Sequence, residues 1–75
     1  MIKVYTTNSC PWCVKAKQYL EKKQIPFTEL NVQSDMAARE EMVKKSKQMG
    51  VPVLDVNGTV IVGFNKDAID NALNK

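Results

Sequence analysis

From Ile2 to Thr6 the chain reads IKVYT, apolar and polar residues in alternation, and from Pro11 onward the spacing becomes helical, with Cys13, Ala16 and Leu20 at i, i+3 and i+7. This change of period within a few residues constrains the fold more than any other feature. A strand is followed by a helix running to about Lys23, and then by strand chemistry again at IPFTELNV. Strand, crossover helix and second strand form a parallel pair. The next segment, SDMAAREEMVKKSKQMG, has a capping Ser or Asp, Glu40 with Lys44 and Glu41 with Lys45 at i,i+4, and Gly50 as its stop, which predicts a second helix. VPVLDV and TVIVG flank Asn57-Gly58, the dipeptide that a type I′ hairpin turn prefers. NKDAIDNALNK opens with a cap at Asn65 and places Ala68, Ile69, Ala72 and Leu73 on one stripe. The order is βαβαββα, an α/β arrangement with helices on both faces of a mixed sheet.

That order puts the only two cysteines, in VYTTNSCPWCVKAKQYL, outside the carboxyl end of the first strand and at the amino end of the first helix. Open α/β sheets tend to carry their chemistry there. With 75 residues the chain is expected to be one domain, residues 1–75. MIKVYTT lacks a signal-peptide h-region, and no apolar run approaches the roughly 20 residues that span a bilayer. A cytoplasmic protein with no membrane partner is expected, and a monomer. The formal charge is +3, but the lysines lie beside glutamates in helical stretches and no basic stripe interleaves with aromatics, so nucleic acid is not an expected partner.

Three readings of the cysteines compete. A structural bridge between residues 10 and 13 would close too short a loop to restrict the unfolded chain much, and a reducing cytosol opposes it. Structural zinc needs four ligands, and this chain offers two cysteines and no histidine, so no metal is expected within one chain. Thiol-disulfide exchange needs one accessible thiolate and a second sulfur close enough to displace it, and both are present. Cys10, at the helix start, faces unpaired N–H groups and the positive end of the dipole, which favours its thiolate. Cys13, one turn inside, faces the core and is the resolving thiol. Pro11 fixes the first helical turn. Trp12 is then either an exposed docking anchor or packed against the TTNS turn. Lys15 and Lys17 either raise the local potential or are ordinary solvated lysines.

The sequence resembles the glutaredoxin family of the thioredoxin-like superfamily, in particular its short bacterial redoxins, over nearly the whole chain. YTTNSCPWCVKAKQYL is similar to the family's strand, CPxC turn and first helix, GVPVLDVNG to its cis-proline segment and hairpin, and VGFNKDAIDNAL to its last turn and helix. The resemblance implies a four-stranded mixed sheet of order 2-1-3-4 and a cis bond before Pro52. It also implies that Val51 offers its backbone to an extended substrate, a strand addition over Cys10; a rigid turn into a buried strand is the plainer role for the same residues. Gly63, Phe64 and Asn65 occupy the family's remaining substrate-binding positions.

Two departures bear on the electron donor. Glutathione-using members usually carry a basic residue three positions before the first cysteine, where this chain has Thr7, and a Gly-Gly pair where it has Gly63-Phe64. The Gly-Phe pair and YTTN are more similar to small redoxins that take electrons from a thioredoxin-reductase-type flavoprotein. The expected function is therefore dithiol-disulfide exchange on protein disulfides. Cys10 is the nucleophile, no cofactor is bound, and a flavoprotein is preferred over glutathione as external donor. The alternative is a module in which Cys10 of two chains, with glutathione, bridges an iron-sulfur cluster, and Pro11 counts against it.

Overall fold

A computed structural model describes residues 2–48 and 50–74 of the chain. The elements are β1 (Ile2–Thr6), α1 (Pro11–Lys22), β2 (Thr28–Asn31), α2 (Met36–Ser46), β3 (Val53–Val56), β4 (Thr59–Val62) and α3 (Lys66–Leu73). They form one four-stranded sheet of order β2-β1-β3-β4, the order that the family resemblance implies. The strand β1 runs parallel to β2, with Tyr5 opposite Leu30, and antiparallel to β3, with Tyr5 opposite Val53. Val56 and Thr59 close the hairpin, and Asn57 (φ 52°) and Gly58 (φ 98°) both take the left-handed conformation that a type I′ turn demands.

Because neighbouring strand residues point to opposite faces, the alternation seen in the sequence separates two cores. Ile2, Val4, Leu54, Val56 and Ile61 pack under α1, through Ala16 and Leu20, and under α3, through Ile69 and Ala72. Tyr5 and Val53 face the other way, onto Val32 and the α2 residues Ala38 and Met42. Helices cover both faces. Beside the α2 core lies a polar cluster. The fully buried Tyr5 donates its hydroxyl proton to Glu41, which also accepts from Lys3 (3.1 Å) and Lys45 (3.2 Å), and Lys45 reaches Asp55 at 2.5 Å. Burial and the adjacent carboxylate push the Tyr5 phenol up to about 12, whereas the Tyr5 hydroxyl and then the two lysines pull Glu41 down to about 2.

Two boundaries differ from the sequence reading. IPFTELNV predicted a strand from Ile25, but the strand begins at Thr28. The Ile25 N–H is held by the Leu20 carbonyl (3.0 Å) and the Gln24 N–H by that of Glu21 (2.9 Å), so the end of α1 withholds these residues from the ladder. The second helix stops at Ser46, well before Gly50, and Lys47 takes the left-handed position (φ 59°) with its N–H on Val43 O at 2.7 Å. Met49, within the predicted helix end, lies outside the described residues. Gln24 (φ 58°) and Lys47 thus both do what glycine usually does at a helix end. No helix among the described residues is long and apolar enough to cross a membrane.

Candidate active site

At the carboxyl end of β1 the chain turns through Thr7, Asn8 and Ser9, and α1 begins. Cys10 is its N-cap, with extended backbone (φ −115°, ψ 99°), and Pro11 takes the first helical position, where a missing N–H leaves nothing unpaired. The Cys10 Sγ accepts the Cys13 backbone N–H at 3.1 Å. The two cysteines are joined as a disulfide, with Cα atoms 5.2 Å apart. Cys10 is half-buried and Cys13 is only 1% exposed, as the helical spacing predicted. One sulfur is reachable and the other lies behind it.

The remaining predicted residues come from two further segments. The Val51–Pro52 bond is cis, Pro52 is fully buried, and its carbonyl accepts the Gly63 N–H at 2.7 Å, which ties the proline segment to the end of β4. Gly63 (φ 82°) sits where a Cβ is disfavoured. Trp12, Val51, Pro52, Gly63 and Phe64 together line one groove of about 280 Å³. Among the described residues no hydrogen bond occupies the Val51 backbone. Asn65 stands outside the groove lining as the N-cap of α3, its Oδ1 accepting from the Ala68 N–H at 3.1 Å. Its backbone and amide N–H groups are what it has to offer a ligand.

Trp12 is 56% exposed and lies beside Phe64, with ring centroids 6.5 Å apart; Phe64 in turn meets Tyr19 edge-on at 5.8 Å. Lys15 stands 4.4 Å from the Trp12 ring centre. Lys17 is engaged elsewhere, bonding Glu29 at 2.9 Å, and this bond, with a second from Thr6, holds the Glu29 carboxyl below its ordinary range. Two residues escaped the sequence reading. Tyr19 shares a helix face with Trp12 at i+7, a signal present in the spacing and overlooked. Arg39 of α2 lines a second concavity of about 330 Å³ with Thr7, Val32, Gln33 and Met42, bringing a guanidinium to the side of the motif where Thr7 supplies no charge. No local pattern places α2 against Thr7, so only the fold reveals it.

The glutaredoxin family model matches residues 2–61. The chain is 55% identical over 75 residues, the whole of both chains, to a glutaredoxin-like 8.6 kDa protein of the rubredoxin operon in Clostridium pasteurianum. It is 37% identical to glutaredoxin 3 of Escherichia coli over 62 residues, which are 83% of this chain and 75% of the other. It superposes on the glutaredoxin-like NrdH-redoxin of Escherichia coli with a TM-score of 0.81 at 27% identity, covering 93% of this chain and 91% of that one; that structure is described as the basis of a thioredoxin-like activity profile. By sequence, sheet order and a redox-active cysteine pair at the start of the first helix, this chain belongs to the glutaredoxin family.

Proposed function

We propose that the protein reduces disulfides of other proteins by dithiol exchange. The Cys10 thiolate attacks one sulfur of the substrate disulfide, that S–S bond breaks, and the departing thiolate takes up a proton. A mixed disulfide with Cys10 results. Cys13, losing its proton, then attacks the Cys10 sulfur, and the second substrate thiol leaves. Two electrons have passed to the substrate, and the pair is left as the Cys10–Cys13 disulfide. The observation that carries this reading is the difference between the two sulfurs, one at a helix N-cap and reachable, the other 1% exposed behind it. The Val51 backbone, which lines the groove and has no hydrogen bond among the described residues, would take the substrate as an added strand, with Trp12, Phe64 and Gly63 as the walls.

For the donor we propose a thioredoxin-reductase-type flavoprotein in preference to glutathione, with no bound cofactor and a cytoplasmic setting. Thr7 brings no cation to the ligand's carboxylate, and Phe64 adds bulk where the Gly-Gly pair of glutathione-using members lets a ligand backbone approach. The likeness to NrdH-redoxin supports the same preference. Arg39, on the concavity that Thr7 lines, makes the disadvantage of glutathione partial. Steady-state turnover of one protein disulfide with each donor, at matched protein concentration, tests the reading. Flavoprotein-driven turnover should exceed glutathione-driven turnover, and equality or the reverse would refute the preference.

A further inference from the structure

Beyond Phe64, on the side away from Val51, lies a concavity of about 260 Å³ lined by Lys15, Gln18, Tyr19, Lys22, Phe64 and Lys66. Phe64 is common to this concavity and to the groove beside the cysteines. The rings of Trp12, Phe64 and Tyr19 therefore form a continuous row from the motif into it, with Lys15 over the first ring and Lys66 5.9 Å and 5.8 Å from the centres of the other two. Among the described residues the ion pairs engage Lys3, Lys17, Lys23 and Lys45; Lys15, Lys22 and Lys66 are exposed and have no carboxylate within 4.0 Å. Of the acidic groups on the same two helices, Asp70 is held by Tyr19 (2.6 Å) and Lys23 (3.1 Å), and Glu21 and Asp67 are exposed. Three ammonium groups without an ion-pair partner among the described residues thus line an aromatic row that begins at Trp12 of the motif, Lys66 also acting on Asp70 through space.

We propose that this concavity receives an acidic peptide segment flanking the substrate's disulfide, so that the protein prefers disulfides in acidic sequence. The proposal rests on the protein-disulfide reading given above and deepens it. A substrate strand laid along Val51 continues over Phe64, and there its carboxylates meet the three ammonium groups, while its stems lie on the rings. Charge complementarity of this kind acts mainly on capture, and it weakens with salt. Each exposed pair is worth about a factor of two, so three of them give about an eightfold preference in capture rate.

The test uses protein reduced beforehand, in single turnover, so that no donor enters. Two disulfide peptides identical except for their flanks, one with Asp and Glu and one with Gln, are compared for the second-order rate of reduction. The parent protein should reduce the acidic peptide about eightfold faster at low salt, with the advantage shrinking at high salt. Lys15→Gln with Lys22→Gln should lower the preference to about twofold, whereas Lys44→Gln with Lys47→Gln, the same change in net charge at the end of α2 and the residue that caps it, should leave it near eightfold. Equal rates for the two peptides, or an equal loss of preference in both double variants, would overturn the proposal while the neutral peptide still reports dithiol exchange. Failure to reduce the neutral peptide would refute the redox reading itself, and the proposal with it.

Discussion

Reduction of the disulfide should leave two thiols of very different reactivity. The Cys13 N–H points at the Cys10 sulfur from 3.1 Å, and a hydrogen bond to a charged acceptor contributes about 1.5 kcal/mol. The N-terminus of α1, which Cys10 caps, adds about 0.5 kcal/mol for an anion. The sum of about 2 kcal/mol favours thiolate over thiol by about 30-fold relative to a free cysteine. A free cysteine is only a few per cent ionised at pH 7, so about half of Cys10 should be thiolate there. Cys13 has neither advantage, being 1% exposed and one turn inside the helix. Iodoacetamide labelling at pH 7, followed by peptide mass spectrometry over time, reads the difference. In Cys13→Ser the backbone N–H remains, so Cys10 there should be labelled at least about tenfold faster than Cys13 in Cys10→Ser. Equal labelling, or faster labelling of Cys13, would refute the assignment of roles.

Further outcomes follow from other parts of the molecule. Lys47→Gly relieves a left-handed residue at the end of α2 and should stabilise the protein by about 1 kcal/mol, raising the thermal midpoint by about 4–8 °C in calorimetry. Glu41 is held down at about 2 in the fold, so its contribution is present above the ordinary carboxylate value of 4.5 and is lost as pH falls toward 2. Because its side chain is 40% exposed the contribution is discounted to about 1 kcal/mol: Glu41→Gln should unfold at lower urea than the parent at pH 7, and the gap should close by about pH 2. Thr7→Lys combined with Phe64→Gly should raise glutathione-driven turnover about tenfold relative to flavoprotein-driven turnover, and an unchanged ratio would show that neither residue sets the donor.

Much of this was legible in the sequence because the informative signals are local. Period two in IKVYT, the i, i+3, i+7 spacing of Cys13, Ala16 and Leu20, Asn57-Gly58 and the Asn65 cap each act within a few residues, and each is found where the pattern puts it. Sheet order and the cis bond at Pro52 followed instead from family resemblance, since an isolated Val-Pro pair has no strong preference for cis. The start of β2 and the end of α2 were misread for a physical reason. Gln24 and Lys47 adopt a conformation that glycine signals, and nothing in a glutamine or lysine announces it. Arg39 and the row of Trp12, Phe64 and Tyr19 depend on which helix packs beside which loop, and tertiary packing decides that.

The central claim, that Cys10 attacks and Cys13 resolves, is tested most directly by trapping. Reduced Cys13→Ser and reduced Cys10→Ser are each mixed with one protein disulfide substrate, quenched in acid and weighed intact by mass spectrometry without reductant. Cys13→Ser should accumulate a stable one-to-one mixed disulfide through Cys10, and Cys10→Ser should accumulate none. Absence of the adduct in Cys13→Ser, together with turnover at the parent rate when a dithiol reductase is supplied, would contradict the dithiol mechanism.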